Sequence, residues 1–349
     1  MQSHKSTGHL QAEPEDEKKG ADVRLDGVHN KAGMRRVALL DNPASGQLTP
    51  RRKAIVQNTL TALHEAGIAV EHLVTDSPGS GAALAREAIS RGCDAVVVCG
   101  GDGTIHEVLQ CLVGTGVALG VVPLGTANAL AADLGLAKSP ENAIRSLLTA
   151  VPTQVPVGRI FYRDKEGVDR SRYFTVAAGV GADALLMARM DPRLKRRMGY
   201  ALYLFEAIRI WLSHPFPLFH ASFTADSNEV PRVAEISQLL AVRVRSFGGA
   251  LGKLAPSASL HNHRLRLIAF KTRSRIRYSR FLLAVLFGRH TFSGDVELLN
   301  ADSVECSPRA GSLAPVFVEA DGEVLGHLPV RIEIAAQTLT LLIPRDAQP

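Results

Sequence analysis

Short apolar segments alternate with amphipathic ones from residue 37 onward, and this alternation constrains the fold more than any other feature of the sequence. The apolar segments predict strands at residues 37–40, 70–74, 95–99 and 119–122. The segments between them carry apolar residues at helical spacing and predict helices at residues 51–66, 81–91, 105–113 and 127–134. Because alternating strands and helices assemble into parallel sheets, we expect an α/β fold with a doubly wound parallel sheet that ends near residue 150.

The pattern changes after residue 151, where strand-like segments are separated by turns instead of helices. They predict strands at residues 153–159, 173–177, 239–245, 265–270, 316–319, 330–334 and 338–343. One helical segment, residues 200–212, interrupts them, and we expect its apolar face to pack in the core. That face carries Leu202, Phe205, Ile208 and Leu212. The second half therefore predicts an antiparallel β domain.

Domain boundaries follow from these changes of pattern. Residues 1–33 are polar, show no apolar period and predict a disordered tail. The rest of the chain divides into an expected α/β domain at residues 34–152 and an expected β-sandwich domain at residues 153–345. The length of 349 residues is sufficient for two domains of ordinary size.

The composition bears on where the protein resides. No apolar segment approaches the ~20 residues that a membrane-spanning helix needs, and no apolar signal-peptide segment follows Met1. The cysteines have neither the spacing of a metal site nor that of a disulfide framework; they are Cys93, Cys99, Cys111 and Cys306. We expect buried thiols in a reducing compartment, which favours a cytoplasmic location.

Basic residues are concentrated in one region of the chain. Residues 189–289 contain 18 Lys and Arg against 5 Asp and Glu, although the net charge of the whole chain is only +6. The densest cluster is Lys271, Arg273, Arg275, Arg277 and Arg280. A concentrated basic surface attracts acidic lipid headgroups, nucleic acid or phosphates. The alternative is a solvated face with scattered charge.

The glycine loop Gly100-Gly101-Asp102-Gly103-Thr104 carries the clearest chemical signal, because it lies directly between a predicted buried strand and a predicted helix. Ligands of open α/β sheets bind at the carboxyl ends of strands. Glycines let backbone N–H groups approach a polyphosphate, and the following helix N-terminus attracts anions. We expect Asp102, itself an anion, either to act through Mg²⁺ or to accept a proton from an attacking hydroxyl. A tight turn with Asp102 as a helix cap is the alternative.

Further polar loops follow the other predicted strands. The segment PLGTAN at residues 123–128 also joins a strand to a helix; Thr126 is expected to bond a phosphate and Asn128 a ribose or phosphate oxygen. Thr126 as an ordinary N-cap is the alternative. Asn42 follows the first strand and Thr75 the second. Because parallel strands end at one edge of a sheet, we expect these loops to converge on one ligand.

The sequence resembles the diacylglycerol kinase catalytic-domain family, which includes bacterial diacylglycerol and related lipid kinases and the sphingosine and ceramide kinases. In the first half, the resemblance is carried by DNPASG at 41–46, GGDGTIHEVLQCL at 100–112 and GVVPLGTANALAADLGL at 120–136. In the second half, it is carried by FTVAAGVGADA at 174–184, MGYALYLFEAI at 198–208, FGGALGKLAPSASL at 247–260 and DGE at 321–323. GGDGT alone is shared with NAD kinases and phosphofructokinase-like folds, whereas this ordered series is specific.

The resemblance implies an N-terminal nucleotide-binding domain, a C-terminal β-sandwich domain for a lipid substrate, and an active site between them. It implies ATP and Mg²⁺ as cofactors. ATP contacts are implied for Thr75, Thr126 and the glycine loop with its first helical turn, namely Gly100, Gly101, Asp102, Gly103, Thr104, Ile105 and His106; position at the same sheet edge adds Asn42, Gly125 and Asn128. Glu323 is implied as the proton acceptor, with Asp102 as the alternative base, although on its own DGE also fits a hairpin turn.

Three positions depart from the family pattern. His106 stands where the family usually has Asn, and Ala129 where many bacterial members have Asp. In the segment 259–267 the family often has an acidic residue that belongs to an accessory Mg²⁺ site. Here Ser259, Asn262 and Arg264 occupy that segment. Because Mg²⁺ requires hard anionic oxygen ligands, we expect the accessory site to be absent or weakened.

The predicted function is transfer of the γ-phosphoryl group of ATP to a lipid hydroxyl, such as that of diacylglycerol or a sphingoid base, at an anionic membrane surface. One alternative is an NAD kinase-like enzyme with a soluble substrate, which would share GGDG but not PLGTAN. Another is a catalytically silent lipid- or nucleic-acid-binding protein. No nucleic acid partner is expected, because basic residues interleaved with stacking aromatic ones are missing. The lipid substrate and the oligomeric state stay open.

Overall fold

The computed structural model describes residues 30, 32–45, 49–136, 140–190, 200–225, 230–245, 254–255, 257–286, 294–312 and 314–347. Most of the predicted tail therefore lies outside the described residues, as does residue 46 of the first loop. The same holds for residues 246–253, which include the start of one segment that resembles the family.

A parallel sheet in the order β2-β1-β3-β4 forms the first half of the structure. Its strands are β1 (Arg36–Asp41), β2 (Ala69–Val74), β3 (Ala95–Gly100) and β4 (Ala118–Pro123). The helices are α1 (Pro50–Glu65), α2 (Ser80–Ser90), α3 (Asp102–Leu112), α4 (Ala129–Asp133) and α5 (Pro140–Thr149).

Successive residues of each strand face opposite helical layers. Val37 and Leu39 pack with residues of α1 and α5, whereas Ala38 and Leu40 pack with residues of α2 and α3. A strand that is buried on both faces in this way needs apolar residues at every position, as β3 shows. The prediction of a doubly wound α/β domain is confirmed.

Antiparallel strands form the second half. They are β5 (Val151–Arg163), β6 (Asp169–Phe174), β7 (Ala177–Val180), β8 (Phe219–Thr224), β9 (Arg232–Ile236), β10 (Gln238–Val242), β11 (Leu265–Phe270), β12 (Val296–Ala301), β13 (Ser303–Pro308), β14 (Phe317–Ala320) and β15 (Glu323–Ile343). Their inward side chains enclose a second apolar core. The helices α6 (Ala182–Arg189), α7 (Tyr200–Ser213) and α8 (Arg275–Leu286) accompany them, and a 3₁₀ turn, Arg345–Ala347, follows β15. The prediction of an antiparallel β-sandwich domain is confirmed.

Strand β15 joins the two halves. It pairs antiparallel with β5 over most of its length and parallel with β4 at Leu341, which lies opposite Leu119. The sequence predicted two strands here, and this was wrong: the structure has one strand of 21 residues with a register shift between Ile334 and Thr338. Such an irregularity lets a long strand bend without ending. The proposed boundary at residues 152 and 153 falls inside β5 and stays a prediction.

Helix α7 departs from its prediction. Leu202 is buried, but Phe205, Ile208 and Leu212 have 58%, 51% and 60% of their surface exposed. Leu204, beside them in the sequence, is exposed as well. The expectation that this apolar face packs in the core was therefore wrong. An exposed apolar face of this size needs a partner other than the core.

Two carboxyl groups face each other inside the second half. A Cβ atom at Gly179 would lie 1.9 Å from Asp183 Oδ2 and 2.8 Å from Glu319 Oε1, so both carboxyls converge on the Gly179 backbone. Burial raises the pKa of the Asp183 carboxyl to about 7. Burial and the neighbouring Asp183 charge also raise the pKa of Glu319. The folded protein therefore holds a proton here that the unfolded chain would release at lower pH.

We expect the free energy of unfolding to fall as pH rises from about 4 to about 7, because Asp183 stays protonated in the folded state while the unfolded chain ionises near pH 3.9. Asp183→Asn removes the Asp183 part of this dependence, while the part due to the buried Glu319 remains. The variant should be more stable than the wild-type protein by about 2–4 kcal/mol near pH 8, with little change near pH 4. Urea unfolding across this range measures both. Asp169→Asn, at a side chain that is 82% exposed, is the control. Destabilisation by Asp183→Asn at high pH would contradict the assignment.

Candidate active site

The loops that follow β1, β3 and β4 lie against one another. A Cβ atom on Gly125 would stand 2.5 Å from Gly101 Cα, and one on Gly101 would stand 2.9 Å from Ser45 Oγ. Only glycine allows two backbones to approach this closely. The residues predicted from sheet position thus occupy one edge of the parallel sheet.

Hydrogen bonds hold the loop after β1. Asn42 Nδ2 donates to Thr104 Oγ1 at 2.7 Å, which joins this loop to α3. The buried Arg52 guanidinium donates to Asp41 Oδ1 and to the Asn42 carbonyl oxygen, both at 2.6 Å. Because these donors and acceptors are largely removed from water, the loop is held in one conformation. Sequence reasoning missed Arg52, since it lies on a helix that reads as an ordinary surface helix.

A cavity of about 280 Å³ lies beside these loops. Of the predicted residues, it is lined by Asn42, Thr75, Gly101, Gly103 and Thr104. Ala44 and Ser45, from the candidate loop after the first strand, also line it. The sequence did not single out the other lining residues, namely Asp76, Ser77, Pro78 and Glu107. Helix α3 begins at this cavity, and its N-cap Gly101 supplies no side-chain hydrogen bond to the first turn. Its N-terminal N–H groups and partial positive charge are therefore suited to an anion.

Asp102 and Asn128 tie the starts of α3 and α4 together. Asp102 Oδ1 accepts a hydrogen bond of 2.8 Å from the Ala129 N–H group. The Asn128 side chain accepts from the Gly125 N–H group at 2.9 Å and donates to the Gly125 carbonyl at 2.8 Å. The Asn128 amide is thus occupied within its own loop. Its predicted contact with a ribose or phosphate stays a prediction.

Other predicted residues lie around the cavity without lining it. Ile105 packs in the apolar core, and Gly100 is buried at the end of β3. Thr126 is exposed on the loop after β4. Glu107, which the sequence analysis missed, accepts hydrogen bonds from the N–H groups of Gly79 and Gly81. It thereby holds the start of α2 beside the cavity.

The turn between β14 and β15 brings carboxylates from the second half to α3. Asp321 has a left-handed backbone with φ of 48°. Its Oδ1 accepts from the N–H groups of Val176 and Ala177 at 2.9 and 3.0 Å, and its Oδ2 accepts from Thr175 N–H at 2.9 Å. Asp321 therefore fixes the link between β6 and β7 to this turn, and it is not available as a base.

His106 of α3 lies between Asp321 and Glu323. Its Nδ1 stands 3.5 Å from Asp321 Oδ2, and its Nε2 stands 3.7 Å from Glu323 Oε2. The imidazole is fully buried, while the Glu323 side chain is 39% exposed. One helix thus begins at the cavity and, within about one turn, reaches a solvent-accessible carboxylate of the second half. A carboxylate in that position can accept a proton.

The segment in which the accessory metal site was predicted to be weakened is organised around an arginine. The Arg243 guanidinium, almost fully buried, donates to four backbone carbonyls: those of Pro156, Leu260, Asn262 and Arg264, at 2.9, 2.8, 2.6 and 3.3 Å. Burial lowers its pKa to about 10, which leaves it charged at neutral pH. A cation of the protein itself therefore binds these carbonyls.

The side chains of this segment point to other partners. Arg264 Nε lies 3.1 Å from Asp302 Oδ1, and Asn262 Nδ2 donates to the Ser257 carbonyl. Ser259 Oγ accepts weakly from the His261 N–H group at 3.3 Å. Among the described residues, no group of three or more His, Cys, Asp or Glu side chains is placed to hold a metal ion. Within the same residues, no helix is both long and apolar enough to cross a membrane. All four cysteines are free thiols.

The sequence matches two family descriptions that together account for most of the chain. Residues 36–160 match the diacylglycerol kinase catalytic domain. Residues 174–343 match the YegS C-terminal NAD kinase beta sandwich-like domain. The two matches follow the order of the α/β and β-sandwich halves.

Curated relatives align over nearly their whole length. A Chromohalobacter salexigens protein named "probable lipid kinase YegS-like" is 30% identical over 314 residues, which cover 88% of this chain and 93% of the relative. A Mycobacterium tuberculosis protein named diacylglycerol kinase is 29% identical over 313 residues, which cover 89% and 96%.

A crystal structure of a diacylglycerol kinase from Bacillus anthracis has the same fold. It superimposes with a TM-score of 0.61 at 18% identity and covers 91% of this chain and 100% of its own. Similarity at this identity shows the fold alone. Because both halves match domains of this family and its relatives align over nearly their whole length, the chain belongs to the diacylglycerol kinase catalytic-domain family, a family of kinases.

Proposed function

We propose that the protein is an ATP-dependent lipid kinase that transfers the γ-phosphoryl group to a lipid hydroxyl, such as that of diacylglycerol or a sphingoid base. One observation carries this proposal. Helix α3 presents an uncapped N-terminus to the cavity at Gly101 and Gly103, and in the next turn it brings His106 beside Glu323. The proposed phosphate site therefore lies at the N-terminus of α3, and the proposed proton acceptor, Glu323, lies about one helical turn further along, beside His106. The names of the relatives support the lipid substrate.

The residues around the cavity fit a nucleotide polyphosphate. The close approach of Gly101 and Gly125 brings the two loops together beside the cavity, and nothing lies within 4 Å of a Cβ position at Gly103. We propose that the ATP phosphates bind there, with Asn42, Thr75 and Thr104 at the cavity wall. Mg²⁺, when bound with ATP, would neutralise charge on the phosphates; Asp102 is the acidic side chain of the glycine loop that would contact it.

The protein's own groups then have separate roles. The first-turn N–H groups of α3 stabilise the charge that develops on the phosphoryl oxygens. Glu323 accepts the proton of the lipid hydroxyl as the new O–P bond forms, while the bond from the γ-phosphorus to the β,γ-bridging oxygen breaks and ADP leaves. Asp102, bound to the Ala129 N–H group, keeps the loops after β3 and β4 together. Phosphate transfer from labelled ATP to a total lipid extract, with mass spectrometry of the product, tests the proposal. Transfer only to a soluble acceptor, or to none, would contradict it.

Gly103 offers a local test of the phosphate site. Gly103→Ala places a methyl group in open space and should not destabilise α3, because alanine is the better helix former. If the phosphates lie against Gly103, the added methyl group should occupy part of their space. We then expect the affinity for ATP to fall by about tenfold or more, which corresponds to a loss of about 1.4 kcal/mol or more of binding free energy. Calorimetric titration with ATP and thermal unfolding measure the two effects. Unchanged affinity would place the phosphates elsewhere.

We propose that α7 and α8 form the surface that meets an anionic membrane at its cytoplasmic face. Trp211 Nε1 of α7 donates to the Arg275 carbonyl at the start of α8, so the two helices adjoin. Around this junction lie exposed apolar side chains, Leu204, Phe205, Ile208, Leu212, Ile276 and Leu283. Arg273, Arg275 and Arg280 are exposed on the same segment, whereas Lys271 and Arg277 are engaged in ion pairs with Glu297 and Asp295. Exposed apolar residues beside arginines fit the interface of an anionic bilayer.

Replacing Phe205 and Leu212 together by serine should weaken binding to phosphatidylglycerol vesicles by about tenfold or more, because each buried apolar side chain contributes about 1.5–3 kcal/mol. Both side chains are exposed, so the fold should persist. Serine replacement of Val230 and Val233, which are 93% and 65% exposed on another part of the surface, is the matched control. Vesicle co-sedimentation measures the binding. Equal loss in both double variants would contradict this surface.

A further inference from the structure

His106 is buried between two carboxylates with neither ring nitrogen hydrogen-bonded. Its Nδ1 faces Asp321 Oδ2 at 3.5 Å, and its Nε2 faces Glu323 Oε2 at 3.7 Å. An unpartnered polar group in a buried position is unfavourable unless a small movement completes its bonds. Both neighbouring carboxylates are hydrogen-bond acceptors, and a neutral imidazole has only one N–H group, so the ring can donate to both of them only as the imidazolium.

The two carboxylates differ in how firmly they are held. Asp321 accepts backbone hydrogen bonds from Thr175, Val176 and Ala177, which fix its position. Glu323 stands at the first position of β15, and its side chain is partly exposed. Asp321 can therefore set the orientation of the imidazole through Nδ1. The imidazole can then set the orientation of Glu323 through Nε2.

We propose that His106 is a positioning residue for Glu323: anchored by Asp321, its imidazole holds Glu323 Oε2 and leaves Oε1 to meet the substrate hydroxyl. This inference rests on the proposed function, in which Glu323 accepts the hydroxyl proton. A carboxylate on a flexible side chain otherwise samples several rotamers, and a hydrogen bond from the neighbouring imidazole removes that freedom. Because His106 belongs to the helix that starts at the phosphate cavity, it also fixes the distance between the base and the phosphate.

Activity measurements on two replacements of His106 test the role. His106→Leu should lower kcat by about tenfold or more while the KM for ATP changes by less than about threefold, because the phosphate cavity is untouched. His106→Gln keeps an N–H donor of similar reach and should recover most of kcat. In a Glu323→Gln background, His106→Leu should cause almost no further loss, since residues that act as a unit are non-additive.

Gln110→Leu is the matched structural control. Gln110 lies one turn further along α3 and bonds both the N–H and the carbonyl group of Tyr173, so it also joins the helix to the second half. We expect its loss to lower the melting temperature without a selective effect on kcat. A His106→Leu variant that behaves like Gln110→Leu, or one whose loss is as large in the Glu323→Gln background, would overturn the proposal.

A second measurement is independent of catalysis. The ¹⁵N resonances of the His106 ring, identified by their absence in His106→Leu, should shift in Glu323→Gln protein without any nucleotide. Glu305→Gln, at an exposed carboxylate of β13, should leave them in place. If the protein transfers no phosphate to any lipid, the proposed function fails. The ring resonances would still show whether His106 contacts Glu323, because this measurement needs no substrate. Ring resonances that do not respond to Glu323→Gln would overturn it.

Discussion

Glu323→Gln is expected to lower kcat by about 10³-fold while the KM for ATP changes by less than about threefold, because loss of a general base typically costs 10²–10⁴ in rate. Gln keeps the shape of the side chain and cannot accept the proton. The carboxylate is partly exposed beside His106, so a substrate hydroxyl can reach it. Steady-state transfer of labelled phosphate to lipid, with ATP varied, measures both constants.

Asp102 is the other candidate base, and its variants separate the two assignments. Asp102 Oδ1 accepts from the Ala129 N–H group, so Asp102→Ala should abolish transfer by releasing the start of α4, whichever residue is the base. Asp102→Asn keeps an acceptor oxygen and should lose less activity than Glu323→Gln. Near-normal activity of Glu323→Gln, with complete loss in Asp102→Asn, would assign the base to Asp102 instead.

Arg243→Met is expected to destabilise the protein by about 3–5 kcal/mol, since removing one partner of a buried charged network leaves its other groups unsatisfied. The carbonyls of Pro156, Leu260, Asn262 and Arg264 would all lose their donor. Arg243→Lys should recover only part of this, because an ammonium group cannot reproduce the planar fork of donors. Urea unfolding measures the free-energy change.

Arg264→Met is the matched control in the same segment. Its ion pair with Asp302 is solvent-accessible, with the two side chains 53% and 45% exposed, and exposed pairs contribute about 0–1 kcal/mol. If Arg243 holds these carbonyls in place of a metal ion, the melting temperature should be the same with EDTA as with Mg²⁺. A small effect of Arg243→Met, or strong stabilisation of the wild-type protein by Mg²⁺, would contradict this account.

The four strands and the first four helices of the first half could be predicted because their signals are local, whereas helix α5 was not predicted. The predicted segment, residues 95–99, is apolar at every position and is followed at once by the glycine loop, and the structure places β3 within one residue of it. The second half was harder to predict. Strands β8, β9, β12 and β13 and helices α6 and α8 were not predicted. β8 does alternate between apolar and polar residues, but it is only six residues long; β9 and β13 are short and half-exposed.

Long-range contacts decided several features that local patterns misrepresent. β15 reads as two strands because polar residues interrupt its apolar pattern, yet pairing with β5 carries it through the interruption. α7 has the apolar content of a core helix, but it buries Leu202 and Ile210 while Phe205, Ile208 and Leu212 stay exposed. Arg52 and Arg243 read as surface arginines, and only the folded chain surrounds them with buried acceptors.

By itself, the sequence determined the order of the four strands and the first four helices of the first half, and the glycine loop at the end of β3. It did so because backbone freedom at glycine and apolar periodicity act over a few residues. Only the tertiary structure decided that His106 meets Asp321 and Glu323, and that Trp211 of α7 contacts the start of α8 at Arg275. These residues are far apart in the chain, and the packing of β14 and β15 against α3 sets the distances between them. The proposed phosphate site therefore depends on residues that are neighbours in the sequence, whereas the position of the proposed base, Glu323, depends on long-range packing.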